Sequence, residues 1–93
     1  MNPPHQQLHA IVRGVVQGVN FRYHTRRTAR ALLLVGWVRN RVDGSVDVTA
    51  EGPLPHLETL VRFLRTGPPS AAVESLEITY TTATGNYSTF EIR

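Results

Sequence analysis

Hydrophobic and polar residues alternate in some stretches of the chain, and apolar residues recur at helical spacing in others. Strict alternation predicts β-strands, because successive side chains of a strand point to opposite faces of a sheet. The predicted strands span Leu8 to Arg13, Val35 to Val42, Ser45 to Glu51, Val73 to Tyr80 and Tyr87 to Ile92. The helical spacing predicts two helices, about Phe21 to Leu33 and Pro55 to Thr66. The predicted order is βαββαβ plus one short C-terminal strand.

This order predicts the fold class, because two helices can cover only one face of a sheet of four or five strands. We expect an α+β protein: a two-layer sandwich with ferredoxin-like topology, an antiparallel or mixed sheet with strands 1 and 3 at its centre, and both helices on one face. Asp43-Gly44 predicts a hairpin between strands 2 and 3, and Gly67-Pro68-Pro69 ends the second helix. Residues 8–93 are expected to form one domain, preceded by a flexible arm of residues 1–7.

The uncovered face of the sheet is predicted to carry mainly polar and charged side chains. Those residues are Arg13, Trp37, Arg39, Arg41, Asp47, Thr49, Glu51 and Glu77. Opposite charges on neighbouring strands can form stabilising pairs. This face is therefore expected to be a lattice of cross-strand charge pairs.

Composition narrows the class of protein. The chain has 93 residues, a net charge of +3 and no cysteine. Disulfides, thiol nucleophiles and thiolate metal sites are thereby excluded, and a reducing compartment is favoured. Residues 1–7 lack the basic and apolar regions of a secretory signal, and no apolar run approaches the roughly 20 residues that span a bilayer. We expect a cytoplasmic protein without a membrane partner. The ten basic residues are all arginine, and this positive charge permits nucleic-acid binding without predicting it.

The junction between the first strand and the first helix is the most informative segment. Gly14 and Gly18 bracket a short turn in which backbone N–H groups can converge on one point. Arg22 follows in the first helical turn, where the partial positive charge of the helix disfavours a cation by roughly 0.3–1 kcal/mol. An anion held by the turn would reverse that penalty, so the segment predicts a pocket for a phosphate-like group. The alternative is a solvated basic strip that Arg22 forms with Arg26.

Asn40 is the second candidate residue. Alternation along strand 2 places it among valines on the helix-covered side of the sheet, together with Val42. An unsatisfied amide there costs about 1–3 kcal/mol, so the side chain needs partners. One interpretation is a structural asparagine bonded to a neighbouring loop, and the other is an amide directed at a ligand or a water beside the glycine turn. The pattern leaves both open.

Other chemistries find no support in the sequence. The four histidines lack metal-ligand spacing, no serine stands in a Gly-x-Ser-x-Gly motif, and no two carboxylates are predicted to flank one site. The glycine turn matches neither a Walker loop nor a dinucleotide-binding fingerprint. We therefore expect no metal and no cofactor.

Two segments are similar to motifs of the acylphosphatase family. One is Gly14-Val15-Val16-Gln17-Gly18-Val19-Asn20-Phe21-Arg22, and the other is Gly36-Trp37-Val38-Arg39-Asn40 followed by Asp43-Gly44-Ser45-Val46. Further similarity at Gly52, in residues 67–73 and at the ending Phe90-Glu91-Ile92 extends the resemblance to nearly all of residues 8–93. One departure is Leu33, where the family usually has a glycine that ends the helix in the left-handed conformation. This departure bears on the helix cap and not on the site.

Nothing in the sequence demands more than a monomer, and we expect an activity that needs no metal ion and is inhibited by inorganic phosphate. The resemblance implies hydrolysis of a small acyl phosphate to a carboxylate and inorganic phosphate. It implies that Arg22 binds the phosphoryl group, that Asn40 orients the attacking water and that the turn supplies backbone N–H donors. The turn residues are Val15, Val16, Gln17, Gly18, Val19 and Asn20. Phosphoryl transfer needs positioning and charge stabilisation more than a protein nucleophile, so a site without histidine, cysteine, carboxylate or metal suffices.

Two other functions are compatible with the same fold. A nucleic-acid-binding module stacks bases on aromatic residues of the central strands. Predicted strands 1 and 3 contain none, and Asp47 and Glu51 would repel phosphates. A regulatory domain that binds an anion without catalysis would need only the turn and an arginine, whereas Asn40 is present as well. The sequence therefore favours the hydrolase.

Overall fold

The structure, a computed structural model, describes residues 4–93. Its elements are β1 (His5–Val15), α1 (Phe21–Ala31), β2 (Val35–Asn40), β3 (Val46–Pro53), α2 (Leu54–Thr66), β4 (Ala72–Thr82) and β5 (Phe90–Ile92). The predicted element order is confirmed. Neither of these two helices combines the length and the apolar character that crossing a membrane requires.

The five strands form one mixed sheet in the order β4-β1-β3-β2-β5. β1 pairs antiparallel with β3 and with β4, β2 pairs antiparallel with β3, and β5 pairs parallel with β2. β1 and β3 are interior strands, and α1 and α2 pack on one face, as expected of a ferredoxin-like sandwich. The pairing of β5 places Ile92 beside Val38, and the sequence pattern did not predict this arrangement.

The hydrophobic core lies between the helices and the covered face of the sheet. Alternate residues of β1, namely Leu8, Ala10 and Val12, are completely buried, as the pattern predicted. The helices contribute Phe21, Thr25, Ala29, Leu57, Leu60, Val61 and Leu64. Thr25 fits this apolar setting because its hydroxyl donates a hydrogen bond to the Phe21 carbonyl one turn earlier. Phe21 thus anchors the start of α1 in the core, immediately before Arg22.

The predicted start of β1 was wrong. The strand begins at His5, and residues 5–7 pair with β3, although they were predicted to belong to the flexible arm. Main-chain pairing at an interior position of the sheet orders these polar residues, and side-chain hydrophobicity does not reveal it. Residues 1–3 of the predicted arm lie outside the described residues.

The predicted end of β2 was also wrong. The strand ends at Asn40, because the Arg41 N–H donates to the Ser45 carbonyl and the Gly44 N–H to the Arg41 carbonyl, which closes the hairpin turn. Val42, predicted on the helix-covered side, is fully exposed in that turn. Four of the other predicted boundaries agree with the structure, and the rest differ from it by one to three residues.

The uncovered face of the sheet carries charge pairs, but two of its carboxylates are buried. The Asp47 side chain is 3% exposed and lies between His9 Nε2, at 2.6 Å, and the Arg39 guanidinium, at 3.0 Å. Glu51 lies beneath the loop of residues 83–89 and accepts hydrogen bonds from the N–H groups of Thr84 and Gly85. The loop therefore covers part of a face that the pattern predicted to be open.

Leu33 adopts the left-handed conformation that the resemblance assigns to a glycine, with φ of 58°. Its N–H donates to the Arg30 carbonyl, and the Leu34 N–H donates to the Ala29 carbonyl. These two bonds form a Schellman cap, so the geometry of the helix end is kept without the glycine. The Leu33 side chain is 83% exposed, while Leu34 returns the chain to the core.

Candidate active site

The turn between β1 and α1 has a backbone conformation suited to an anion. Gly18 and Asn20 both have left-handed angles, with φ of 74° and 62°. Since Asn20 is not a glycine, its conformation is uncommon and is maintained by the surrounding structure. Left-handed residues in such a turn direct neighbouring N–H groups to one side of the chain, which forms a concave anion site. The φ angles of Gly18 and Asn20 are therefore compatible with the phosphate pocket that the sequence predicts.

Backbone donors accumulate at this corner. No backbone carbonyl within residues 4–93 accepts a hydrogen bond from the N–H groups of residues 16–20. The first N–H groups of α1 also lack intrahelical acceptors, as in every helix. The first turn of α1 contains no acidic residue that would neutralise its partial positive charge. The corner therefore presents donors and positive potential to an incoming anion.

Arg22 and Asn40 line one cleft, although they come from different elements. The cleft has a volume of about 220 Å³. Its lining consists of Val16, Gly18, Asn20, Phe21, Arg22, Tyr23, Asn40 and Ile92. Since one water molecule occupies about 30 Å³ in the liquid, there is room for a phosphate-sized group and a water. The fold therefore brings together the two residues that the sequence singled out.

The Asn40 side chain carries a buried atom without a partner. Its Oδ1 is inaccessible to solvent and accepts no hydrogen bond from residues 4–93. A buried unsatisfied acceptor costs about 1–3 kcal/mol, and native structures retain few of them. Asn40 lines the cleft, so a rotation of its amide toward a donor bound there, such as the O–H of a water molecule, would satisfy this oxygen. This geometry disagrees with a structural asparagine bonded to a neighbouring loop.

The Gln17 side chain has a structural role beside the cleft. Its Nε2 donates to the Arg41 carbonyl at 2.7 Å and to the Ser45 carbonyl at 2.9 Å. Through these bonds the turn after β1 is fixed to the β2–β3 hairpin, which begins directly after Asn40. Asp43 orders the same hairpin: hydrogen bonds from the Ser45 hydroxyl and N–H lower the pKa of Asp43 to about 2.

The predicted turn residues divide into two groups. Val16, Gly18 and Asn20 line the cleft, whereas Val15, Gln17 and Val19 do not. The Val15 side chain is 57% exposed, and Val19 packs against the core. Only backbone groups of these last three residues remain as candidates for phosphate contact.

The prediction missed three lining residues, namely Phe21, Tyr23 and Ile92. Ile92 reaches the cleft because β5 pairs parallel with β2, and no local pattern signals that pairing. Tyr23 follows Arg22 directly, and only its position one residue into the helix could have pointed to it.

The ionised groups that line the cleft are positive only. Arg22 is the only ionised side chain of the lining, and none of the lining residues is a carboxylate or a histidine. Within the part of the chain that the structure describes, no acidic group lies within 4.0 Å of the Arg22 guanidinium. The guanidinium is thus available to pair with an anion. The alternative interpretation, a solvated basic strip of Arg22 and Arg26, does not account for the position of Arg22 in a cleft.

Known proteins share this arrangement of chain and fold. The acylphosphatase family model matches residues 8–92. The acylphosphatase of Salinibacter ruber is 43% identical over 88 residues, which are 95% of this chain and 93% of that protein. The acylphosphatase of Pelotomaculum thermopropionicum is 45% identical over 84 residues, 90% of this chain and 91% of that one. The crystal structure of acylphosphatase from Bacillus subtilis has a TM-score of 0.91 at 38% identity and covers 95% of this chain and 98% of that chain.

Identity and coverage at this level define an enzyme, a hydrolase with a ferredoxin-like sandwich. More narrowly, the chain belongs to the acylphosphatase family, whose reaction is the hydrolysis of acyl phosphates. The resemblance noted from the two sequence motifs is confirmed.

Proposed function

We propose that this chain hydrolyses acyl phosphates without a metal ion, with Arg22 and backbone N–H groups of residues 15–20 binding the phosphoryl group and Asn40 positioning the attacking water. One observation carries the proposal: Asn40, whose buried Oδ1 has no hydrogen-bond partner within residues 4–93, lines the same cleft as Arg22 and the turn. An amide that shares a cleft with a guanidinium lacking an acidic partner within residues 4–93 is suited to hold a water next to a bound phosphate.

The proposed chemistry needs no protein nucleophile. The Arg22 guanidinium binds two phosphoryl oxygens through its parallel N–H groups, and the turn amides bind the third. Water, bonded through one O–H to Asn40 Oδ1, attacks phosphorus as the bond from phosphorus to the carboxylate oxygen breaks. The acyl group leaves as a carboxylate, and the proton of the water passes to the phosphate. Charge stabilisation and positioning account for the catalysis.

The chemical character of the lining supports independence from metal ions. Its donors are amide groups and a guanidinium, whereas a hard divalent cation prefers carboxylate oxygens. A cation would also compete with Arg22 for the same anion. We propose a monomer as the working unit, since a single chain supplies both Arg22 and Asn40 to the cleft. We also propose a reducing compartment such as the cytoplasm, which suits a cysteine-free sequence.

The direct test is phosphate release from benzoyl phosphate by the purified protein, with and without a chelator. We expect turnover that the chelator does not change and that inorganic phosphate inhibits competitively. Loss of activity on chelation, with recovery on adding a divalent cation, would contradict metal independence. Absence of turnover on any acyl phosphate would contradict the function as a whole.

A further inference from the structure

The lining of the cleft differs between its floor and its mouth. Val16 and Phe21 are each 1% exposed and Asn40 is half-buried, so these lining residues form the floor. Gly18, Asn20 and Tyr23 are exposed and form the mouth. Tyr23 is the only residue of the mouth with a large apolar side chain.

The proposed reaction assigns a direction to the substrate. In phosphoryl transfer the attacking and the leaving oxygens lie roughly in line on opposite sides of phosphorus. If Asn40 holds the attacking water at the floor, the leaving acyl group points away from Asn40, toward the mouth. Tyr23 is the exposed aromatic side chain of the lining at that mouth.

The Tyr23 ring is held in place, although it is 48% exposed. The His24 ring contacts it edge to face, with centroids 5.2 Å apart and an interplanar angle of 79°. The Arg26 guanidinium lies 5.9 Å from its centroid, at a distance where cation–π attraction operates. A ring fixed from its own helix loses little freedom when a ligand packs against it.

We propose that Tyr23 is a specificity residue of the acyl end and that its ring favours acyl phosphates with an aromatic acyl group over those with a small aliphatic one. This inference rests on the proposed function, because it takes the direction of the acyl group from the position of the water. The contact is the same in the bound substrate and in the transition state, so it acts on KM more than on kcat.

The test compares benzoyl phosphate with acetyl phosphate in the wild type, Tyr23→Ala and Tyr23→Phe. An aromatic pair is worth about 0.5–1.5 kcal/mol beyond area burial, so Tyr23→Ala is expected to lower the ratio of the two kcat/KM values roughly threefold to tenfold. Most of that change is expected as a higher KM for benzoyl phosphate. Tyr23→Phe keeps the ring and is expected to keep the ratio, which separates stacking from a hydrogen bond of the hydroxyl. Alanine is a good helix former, and position 23 is exposed, so the variant is expected to fold.

Tyr80→Ala is the matched control, because Tyr80 is an exposed tyrosine on β4, outside the cleft lining. Its benzoyl-to-acetyl ratio is expected to equal that of the wild type. An unchanged ratio in Tyr23→Ala, with both substrates still hydrolysed, would overturn the role of Tyr23 and leave the proposed function intact. A wild type that hydrolyses neither substrate would overturn both. A loss of preference in Tyr23→Phe as large as in Tyr23→Ala would overturn stacking as the cause.

Discussion

A guanidinium at position 22 presents two parallel N–H donors, whereas the ammonium group of a lysine presents a compact charge. If the phosphoryl group is bound by both donors, Arg22→Lys keeps the charge and loses the geometry. We expect kcat/KM to fall roughly 10²- to 10³-fold, as for loss of one preorganised donor. Arg26→Lys, one turn later and outside the cleft lining, is the control and should retain activity. Near-normal turnover of Arg22→Lys would show that charge alone suffices.

Replacing Asn40 is expected to lower the activity of the enzyme without lowering the stability of the fold. Asn40→Ala removes the unpartnered Oδ1, so no protein hydrogen bond to that atom is lost. We expect kcat to fall roughly 10²- to 10³-fold while the inhibition constant for inorganic phosphate stays close to that of the wild type. The free energy of unfolding, measured in urea, should be unchanged or higher, because a buried unsatisfied acceptor is destabilising. A variant that loses phosphate affinity but keeps turnover would reverse the roles given to Asn40 and Arg22.

Single residues were the part of the site that the sequence predicted best. Arg22 and Asn40 stood out because each violates a local rule: a cation at a helix N-terminus, and an amide among buried valines. Ile92 and Tyr23 violate none, since an isoleucine in a strand and a tyrosine on a helix are ordinary. Their place in the cleft follows from the parallel pairing of β5 and from the rotation of α1, both of which are tertiary.

At the scale of elements, the hydrophobic pattern predicted every strand and helix but not where all of them end. β1 starts at His5 because β3 supplies main-chain partners, and β2 stops at Asn40 because turn hydrogen bonds replace ladder bonds. Ends of this kind are decided by hydrogen bonds between distant segments, which leave no periodic trace in either segment. The early end of β2 matters for the site, because it leaves Asn40 as the last strand residue beside the turn after β1.

The C-terminal cap of α1 leads to a prediction about stability, because Leu33 stands there in place of a glycine. Leu33 holds a left-handed conformation that costs an L-residue roughly 1–2 kcal/mol, while glycine adopts it freely. Glycine also has a larger conformational entropy in the unfolded chain, which offsets part of this gain. On balance, Leu33→Gly should stabilise the fold by about 1 kcal/mol. For a domain of this size that corresponds to a rise in Tm of about 4–8 °C.

Leu33→Ala is the control for this cap, because it removes the same exposed side chain without freeing φ. We expect its stability to stay within about 0.5 kcal/mol of the wild type. Equal stabilisation by alanine and glycine would assign the effect to the exposed leucine side chain and not to the backbone. Activity should be unchanged in both variants, since position 33 lies at the opposite end of α1 from Arg22.

At the scale of the whole molecule, the loop of residues 83–89 links opposite edges of the sheet. It runs from β4 to β5, which are separated by four inter-strand spacings, about 19 Å. Eight residue steps reach at most about 29 Å when fully extended, so the loop has little slack. Glu51, on the central strand β3, accepts hydrogen bonds from its Thr84 and Gly85 N–H groups. Since β5 carries Ile92 into the cleft, this carboxylate connects the uncovered face of the sheet with the site.

The charge of Glu51 makes this connection sensitive to acid. Burial alone would raise the pKa of Glu51, but hydrogen bonds from the Thr84 N–H, the Gln7 amide, the Thr84 hydroxyl and the Gly85 N–H outweigh it and hold the pKa below the ordinary value of 4.5. A carboxyl group with a lowered pKa in the folded state contributes its stability above the unfolded pKa and loses it as the pH falls through the folded value. The free energy of unfolding should therefore decrease as the pH is lowered below 4.5. Asp43, with a pKa of about 2, adds a second decrease at lower pH.

Glu51→Gln separates these two contributions. The amide keeps the shape of the side chain but turns one acceptor oxygen into a donor that faces other donors, so unfolding at neutral pH should become easier by about 1–3 kcal/mol. Between pH 5 and 3 the variant should lose less stability than the wild type, because the Glu51 carboxyl group with its lowered pKa is gone, while the decrease from Asp43 persists. Glu91→Gln removes an equal charge from an exposed position on β5 and should keep the pH profile of the wild type. Parallel profiles of the wild type and Glu51→Gln over this range would mean that the loop is held by something other than the charged carboxylate.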